Sequence, residues 1–233
     1  MPAPATAFDQ PFSAVLLDMD GTLIDSMPAV ERSWLRWSEE FDVDPQLLGG
    51  LHGVPAVDVV RQVLPEERRG PAFARIRELE ASDTTGITVL PGAAELLATL
   101  AAGDVPTAIV TSCTRELAEA RIAATGLVRP HVVVTASDVR RGKPSPDPWL
   151  EGAGLLGVDP RDCVVVEDAV AGLAGARDAG CRGLVAVTTT TARELLMPLS
   201  DLVVHDLEGL SVEVTRSRVR IQPGASAPSA GRA

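Results

Sequence analysis

The stretch AVLLDMDGT, residues 14–22, runs from an apolar segment directly into two carboxylates. Residues 14–17 have the composition of a buried β-strand, whereas Asp18 and Asp20 follow at once, with Gly21 close behind. Two like charges this close raise the free energy of each other's ionised form. We therefore expect a positive group beside them, either a side chain of the protein or a bound cation.

Five further apolar, β-branched runs follow along the chain, and helix-like segments separate them. Nearly continuous Val, Ile and Leu runs are typical of strands buried on both faces, and alternation with helices indicates right-handed crossovers. The sequence therefore predicts an α/β fold with a doubly wound parallel sheet. The six predicted strands are residues 14–18, 107–112, 131–137, 163–168, 183–188 and 201–204.

The interval between the first two strands is too long for one crossover. Residues 26–90 contain three helical signals and are predicted to form an inserted α-helical cap over a site at Asp18. The α/β core is assigned to residues 12–25 and 91–210. Residues 1–11 and 215–233 are predicted to be flexible termini, the latter because Pro, Gly, Ala and Ser dominate it.

Composition narrows the functional classes. A net charge of −11 argues against a nucleic-acid partner, and no apolar run approaches the ~20 residues that span a bilayer. The first residues resemble no secretory signal, so a cytoplasmic location and no membrane partner are expected. Cys113, Cys163 and Cys181 are odd in number and widely spaced, which indicates reduced thiols.

One basic residue differs from all the others. Twenty of the 21 basic side chains are arginine, and Lys143 is the only lysine in the protein. Lysine offers a compact point charge where arginine offers a planar fork, so a chemical reason for this exception is one interpretation. The other is a chance lysine on a surface turn.

The predicted strands end in polar residues. In open α/β sheets, ligands bind outside the carboxyl ends of the strands. Ser112 also stands just before a predicted helix, whose N-terminus favours a phosphate group, and acids beside phosphate imply Mg²⁺. The residues at these strand ends are Asp18, Asp20, Thr111, Ser112, Glu167 and Asp168.

These residues resemble the four motifs of the haloacid dehalogenase-like (HAD) phosphatase superfamily. Residues 18–22, Ser112, Lys143 and the pair Glu167 and Asp168 match the motifs in order, and the match extends over about residues 12–208. The intervening sequence is similar to the branch that includes sugar-phosphate phosphatases, glycerol-phosphate phosphatases and β-phosphoglucomutase.

The resemblance implies a mechanism. Asp18 would attack phosphorus to form an aspartyl-phosphate, and Asp20 would act as acid and then as base. Mg²⁺ would bind to Asp18, the main-chain carbonyl of Asp20 and Asp168. Lys143 would pair with Asp18 and the phosphoryl group.

Further residues have expected roles, those of Ser112, Cys113 and Glu167 being implied by the same resemblance. Ser112 and the amide of Cys113 would hold phosphate oxygens. Glu167 would contact the metal through water, or else serve only as a structural cap. His52 is a possible substrate contact from the cap, although a lone histidine is more often solvated or packed. Ser26 is interpreted as a cap of the helix that follows it.

Three functions remain open from the sequence. The first is hydrolysis of a small phosphorylated sugar or polyol. The second is a phosphosugar mutase, whose relatives carry a cap arginine shortly after a Gly-Val pair like Gly53 and Val54; here Pro55 follows, although Arg61 could substitute. The third is a receiver-type phosphoacceptor, which a DxD motif and a large cap both disfavour.

Overall fold

The computed structural model describes residues 6–48, 56–130 and 132–224. Its strands are β1 (Ala14–Leu17), β2 (Ile24–Asp25), β3 (Thr88–Val89), β4 (Thr107–Val110), β5 (Val132–Val134), β6 (Cys163–Glu167), β7 (Gly183–Val187), β8 (Leu202–Val204), β9 (Leu210–Thr215) and β10 (Arg218–Pro223). Its α-helices are α1 (Met27–Phe41), α2 (Ala56–Val63), α3 (Glu66–Ser82), α4 (Ala93–Ala102), α5 (Arg115–Thr125), α6 (Asp147–Leu156), α7 (Val170–Asp178) and α8 (Arg193–Leu196). Short 3₁₀ helices lie at Pro45–Leu48, Pro160–Asp162, Met197–Leu199 and Leu207–Gly209.

Six strands form one parallel sheet in the order β5-β4-β1-β6-β7-β8. Strand β1 lies inside the sheet, where Leu17 is in register with Ile109 of β4 and Val166 of β6. All six strands predicted from the sequence are present, and the α/β fold prediction is confirmed.

Two apolar layers cover the two faces of this sheet. Alternate side chains point to opposite faces, so Val15 and Leu17 join one buried cluster and Leu16 joins the other. Leu97 of α4 packs in the first cluster, and Trp149 of α6 packs in the second. Burial on both faces explains why the strands have no polar alternation.

Helices α1, α2 and α3 pack around an apolar cluster of their own. Trp37 is completely buried there, and its indole N–H donates to the carbonyl of Ala72 at 2.8 Å. Strands β2 and β3 pair antiparallel and bring the two ends of residues 26–90 together beside the sheet. This arrangement holds the helices above the carboxyl end of β1.

The prediction of a flexible segment from residue 215 onward was wrong for residues 215–223. Strands β9 and β10 form an antiparallel hairpin, and both Val219 and Ile221 are completely buried in the first apolar cluster. Phe12 and Val219 exchange two backbone hydrogen bonds, of 2.7 and 3.0 Å. Burial of alternate apolar residues outweighs the polar composition that suggested disorder. Residues 225–233 lie outside the described residues.

The N-terminal segment, also predicted to be flexible, makes contacts where it is described. The ring of Phe8 packs edge-on against Phe12 at a centroid distance of 5.5 Å. Arg182 donates to the carbonyl of Pro11 at 2.9 Å, and Arg220 donates to that of Asp9 at 3.1 Å. These contacts attach residues 8–11 to the core.

Candidate active site

The parallel sheet gathers the predicted site residues at one edge. Asp18 follows β1, and its amide donates to the carbonyl of Val166 in β6 at 3.0 Å. Glu167 is the last residue of β6, with Asp168 next to it. Because β1 and β6 are neighbours, their carboxyl ends place these acids side by side.

Lys143 supplies the positive group that the sequence demanded. Its ammonium donates to Oδ1 of Asp18 at 2.5 Å and to Oε2 of Glu167 at 2.7 Å. The ammonium also lies 4.5 Å from the ring centroid of Trp149. Burial of the Lys143 ammonium lowers its pKa. The carboxylates of Asp18 and Glu167 have the larger opposite effect and raise the pKa of Lys143 above its ordinary value. The interpretation of a surface lysine is excluded, because the side chain is only 6% exposed.

Asp18, Glu167 and Asp168 form a buried acidic cluster in which one oxygen of each lies within 4.8 Å of the others. Burial raises the pKa of all three carboxyls to about 7, and Lys143 opposes the rise. One ammonium against three carboxylates leaves a deficit of positive charge. Buried carboxylate oxygens at this spacing suit a divalent cation such as Mg²⁺, so the donor set fits the predicted metal.

A glycine is required beside the acidic cluster. Gly21 has a φ of +87°, and a Cβ at this position would lie 2.2 Å from Oδ2 of Asp168. Its neighbour Thr22 donates to Oδ1 of Asp168 at 3.3 Å. The tight turn after Asp20 therefore brings the backbone directly against a site carboxylate.

The loop after β7 also contacts the site, which the sequence analysis missed. The hydroxyl of Thr190 donates to Oδ2 of Asp168, and that of Thr189 donates to the carbonyl of Gly21. The run of threonines at residues 188–191, directly after a predicted strand, was the available signal.

Asp20 points away from the acidic cluster. Its Oδ1 accepts hydrogen bonds from Ser26 Oγ and Arg121 Nη1, each at 2.6 Å, and its Oδ2 accepts from Cys113 Sγ at 3.1 Å. Ser26 is the N-cap residue of α1, as interpreted, but its side chain makes no capping hydrogen bond. Ser26 instead links the start of the helical cap to Asp20.

Arg121 is the principal site residue that the sequence analysis missed. It lies within α5, on the same buried face as Leu117, Ala118 and Ile122. Its side chain is 5% exposed. A single arginine on the apolar face of a helix was the signal, since a buried charge needs a partner.

Two of the predicted phosphate-binding residues, Ser112 and Cys113, lie in the loop between β4 and α5. Ser112 is exposed and lines the cavity described below. The amide of Cys113 donates to Thr111 Oγ1 at 3.1 Å rather than pointing free. Burial and the nearby Asp20 raise the pKa of Cys113 well above its ordinary value, so this residue is a neutral thiol.

A cavity of about 380 Å³ lies between the core and the cap. The core contributes the acids, Lys143 and Ser112, whereas the cap contributes an apolar wall with one acid and one arginine. Trp34 both packs against Trp37 and lines this cavity. The lining residues from the cap are Ser26, Met27, Val30, Trp34, Ala56, Val57, Phe73, Arg77 and Glu80.

Two cap residues, His52 and Arg61, were considered from the sequence as contacts to the substrate. His52 lies outside the described residues, as do Gly53 and Val54. Arg61 is exposed and pairs with Asp58 on its own helix at 3.1 Å. It does not appear among the residues of the described ranges that line the cavity.

Acids and one lysine at the carboxyl edge of a doubly wound parallel sheet, beneath a helical cap, are the arrangement of a capped hydrolase with a Rossmann-like core. The model of the haloacid dehalogenase-like hydrolase family matches residues 12–180, and the chain belongs to this family. The predicted family is confirmed, and the chain is an enzyme, a phosphatase of the HAD type.

Individual relatives agree with this assignment. Hexitol phosphatase A of Escherichia coli is 44% identical over 201 residues, which cover 84% of this chain and 92% of the relative. Glycerol-1-phosphate phosphohydrolase 2 of Saccharomyces cerevisiae is 31% identical, with 86% and 84% covered. The crystal structure of β-phosphoglucomutase from Clostridium difficile has the same fold, with a TM-score of 0.72, 20% identity, and 86% and 93% covered.

Across the part of the chain that the structure describes, the helices are too short or too polar to cross a bilayer.

Proposed function

We propose that this enzyme hydrolyses the phosphomonoester of a small sugar or polyol through an aspartyl-phosphate on Asp18. The observation that carries the proposal is the position of Asp18, which lines the cavity with Lys143 in direct contact. The similarity to a hexitol phosphatase and a glycerol-phosphate phosphohydrolase supports a polyol as the alcohol portion.

In the first step, an oxygen of Asp18 attacks phosphorus and the bond from phosphorus to the substrate's alcohol oxygen breaks. Asp20 gives its proton to the departing alkoxide. Lys143 and Ser112 hold phosphoryl oxygens, and Lys143 offsets the charge of Asp18.

In the second step, Asp20 takes a proton from water, which attacks the phosphorus of the aspartyl-phosphate. The bond from phosphorus to the Asp18 oxygen breaks, which frees inorganic phosphate and restores both carboxyl groups. Asp18, Asp168 and the main-chain carbonyl of Asp20 would hold Mg²⁺, which supplies positive charge to the carboxylates and the phosphoryl group when bound.

Hydrolysis is favoured over a mutase reaction. A mutase needs a second phosphate clamp from the cap. Arg61 is engaged with Asp58 on an exposed face, and Arg77, the cap arginine that lines the cavity, lies over the ring of Phe73 at 5.9 Å. The similarity to the β-phosphoglucomutase structure is a similarity of fold alone, so it does not support a mutase reaction here.

A panel assay tests the proposal. Hexitol phosphates, glycerol 1-phosphate and glucose phosphates are each incubated with enzyme and Mg²⁺, and free phosphate and sugar-phosphate isomers are measured in parallel. We expect phosphate release, and we expect Asp18→Asn to abolish it with the fold intact. The surface variant Asp178→Asn serves as the control. Isomer formed without phosphate, or undiminished release by Asp18→Asn, would contradict the proposal.

A further inference from the structure

Asp20 is oriented by three donors from three separate parts of the chain. Ser26 reaches it from the start of the cap, Cys113 from the loop after β4, and Arg121 from the middle of α5. Of these, Arg121 carries the only charge. Its Nη1 also donates to Cys113 Sγ at 3.2 Å, so one guanidinium nitrogen contacts both groups.

The buried position of Arg121 ties it to Asp20. An arginine that is 5% exposed is costly without a carboxylate, and in the described ranges Asp20 is the carboxylate within ion-pair distance of it. Arg121 makes no hydrogen bond or ion pair with Asp18, Glu167 or Asp168. The charge therefore acts on the proposed acid and base, and at longer range on Glu80 of the cap, rather than on the nucleophile or the metal site.

We propose that Arg121 is a positioning residue, which holds the Asp20 carboxyl group in the orientation needed for proton transfer to the leaving alcohol. This inference rests on the function proposed above. One guanidinium nitrogen supplies the charge and contacts both Asp20 and Cys113, and helix α5, packed into the sheet, gives the side chain a rigid base.

The leaving group of the substrate provides the test. An alkyl phosphate needs protonation of its alkoxide, whereas p-nitrophenyl phosphate releases a stable phenolate and needs little acid assistance. The value of kcat/KM reports the steps up to alcohol release, so it separates the two esters even where later hydrolysis limits kcat. Asp20→Asn provides the reference pattern for a missing acid.

We expect Arg121→Met to lose about 10²-fold in kcat/KM on glycerol 1-phosphate or a hexitol phosphate, and less than about tenfold on p-nitrophenyl phosphate. In the Asp20→Asn background, the same substitution should change the alkyl ester rate by less than about threefold, because both residues act in one step. Arg129→Met, which removes an exposed ion pair with Glu119 near the end of α5, is the matched control.

Two results would overturn the inference. Equal losses on both esters would indicate a merely structural arginine. Losses that add to those of Asp20→Asn, with a raised KM for the alkyl ester, would indicate direct substrate contact through Nε of Arg121, which has no hydrogen-bond partner among the described residues. If Arg121→Met does not fold, Arg121→Lys replaces it. The same comparison is then made between its loss of kcat/KM on the alkyl ester and its loss on p-nitrophenyl phosphate, and equal losses again overturn the inference. A wild-type enzyme that releases phosphate from neither ester would instead refute the proposed function.

Discussion

The ammonium of Lys143 lies 2.5 Å from Oδ1 of Asp18, and both side chains are less than a tenth exposed. This contact explains how an apolar strand can end in carboxylates, since the lysine offsets part of their charge at short range. It also gives the only lysine of the protein a defined place. A compact cation fits between Asp18, Glu167 and the face of Trp149.

Lys143→Arg should lower kcat/KM by at least about 10²-fold with little change in melting temperature, because a guanidinium in this space displaces Asp18 from in-line geometry. Lys143→Ala should be no better, since the carboxylates then lose their cation. Steady-state kinetics and thermal unfolding measure both variants, with Arg129→Lys on the surface as control. Activity of Lys143→Arg within about threefold of the wild type would refute the requirement for a compact donor.

Removal of divalent cations should abolish phosphate release, and added Mg²⁺ should restore it, because three buried carboxylates share one lysine. Mg²⁺ should also raise the melting temperature of the wild type, since a ligand that binds only the folded state stabilises it. Asp168→Asn should reduce this thermal shift. Full activity after metal stripping would be incompatible with the mechanism.

Gly21→Ala should impair catalysis by at least about tenfold, because its Cβ would collide with Asp168 in a region where misplacements of about 1 Å are costly. Gly126→Ala is the matched control. Gly126 also has a positive φ, of +65°, but a Cβ there meets open space. It should lose only about 1–2 kcal/mol of stability. Equal kinetic effects of the two variants would show that backbone strain, not the collision, matters.

Ile221→Ala should lower the free energy of unfolding by about 2–5 kcal/mol, as for other buried isoleucines. Gln222→Ala, at an exposed neighbouring position, should change it by less than about 0.5 kcal/mol. Urea denaturation measures both. If both substitutions change the free energy of unfolding by equally small amounts, the hairpin does not pack into the core.

Local pattern was sufficient for most of the fold. Continuous apolar runs fixed six strands, and their alternation with helices indicated a parallel sheet, because burial on both faces leaves a direct trace in composition. The hairpin at residues 210–223 was missed since its apolar alternation is short and is interrupted by Arg216 and Ser217, which form the turn at positive φ.

The acidic cluster was also predictable, because side chains at the carboxyl ends of adjacent parallel strands must meet, and the family resemblance predicted the contact of Lys143 with Asp18. By contrast, only the tertiary structure placed Arg121 against Asp20, and Thr190 against Asp168. These pairs join residues 101 and 22 positions apart, from a helix interior and a loop. The sequence determines which charges must be buried, but the packing of α5 and of the loop after β7 decides which groups neutralise or orient them.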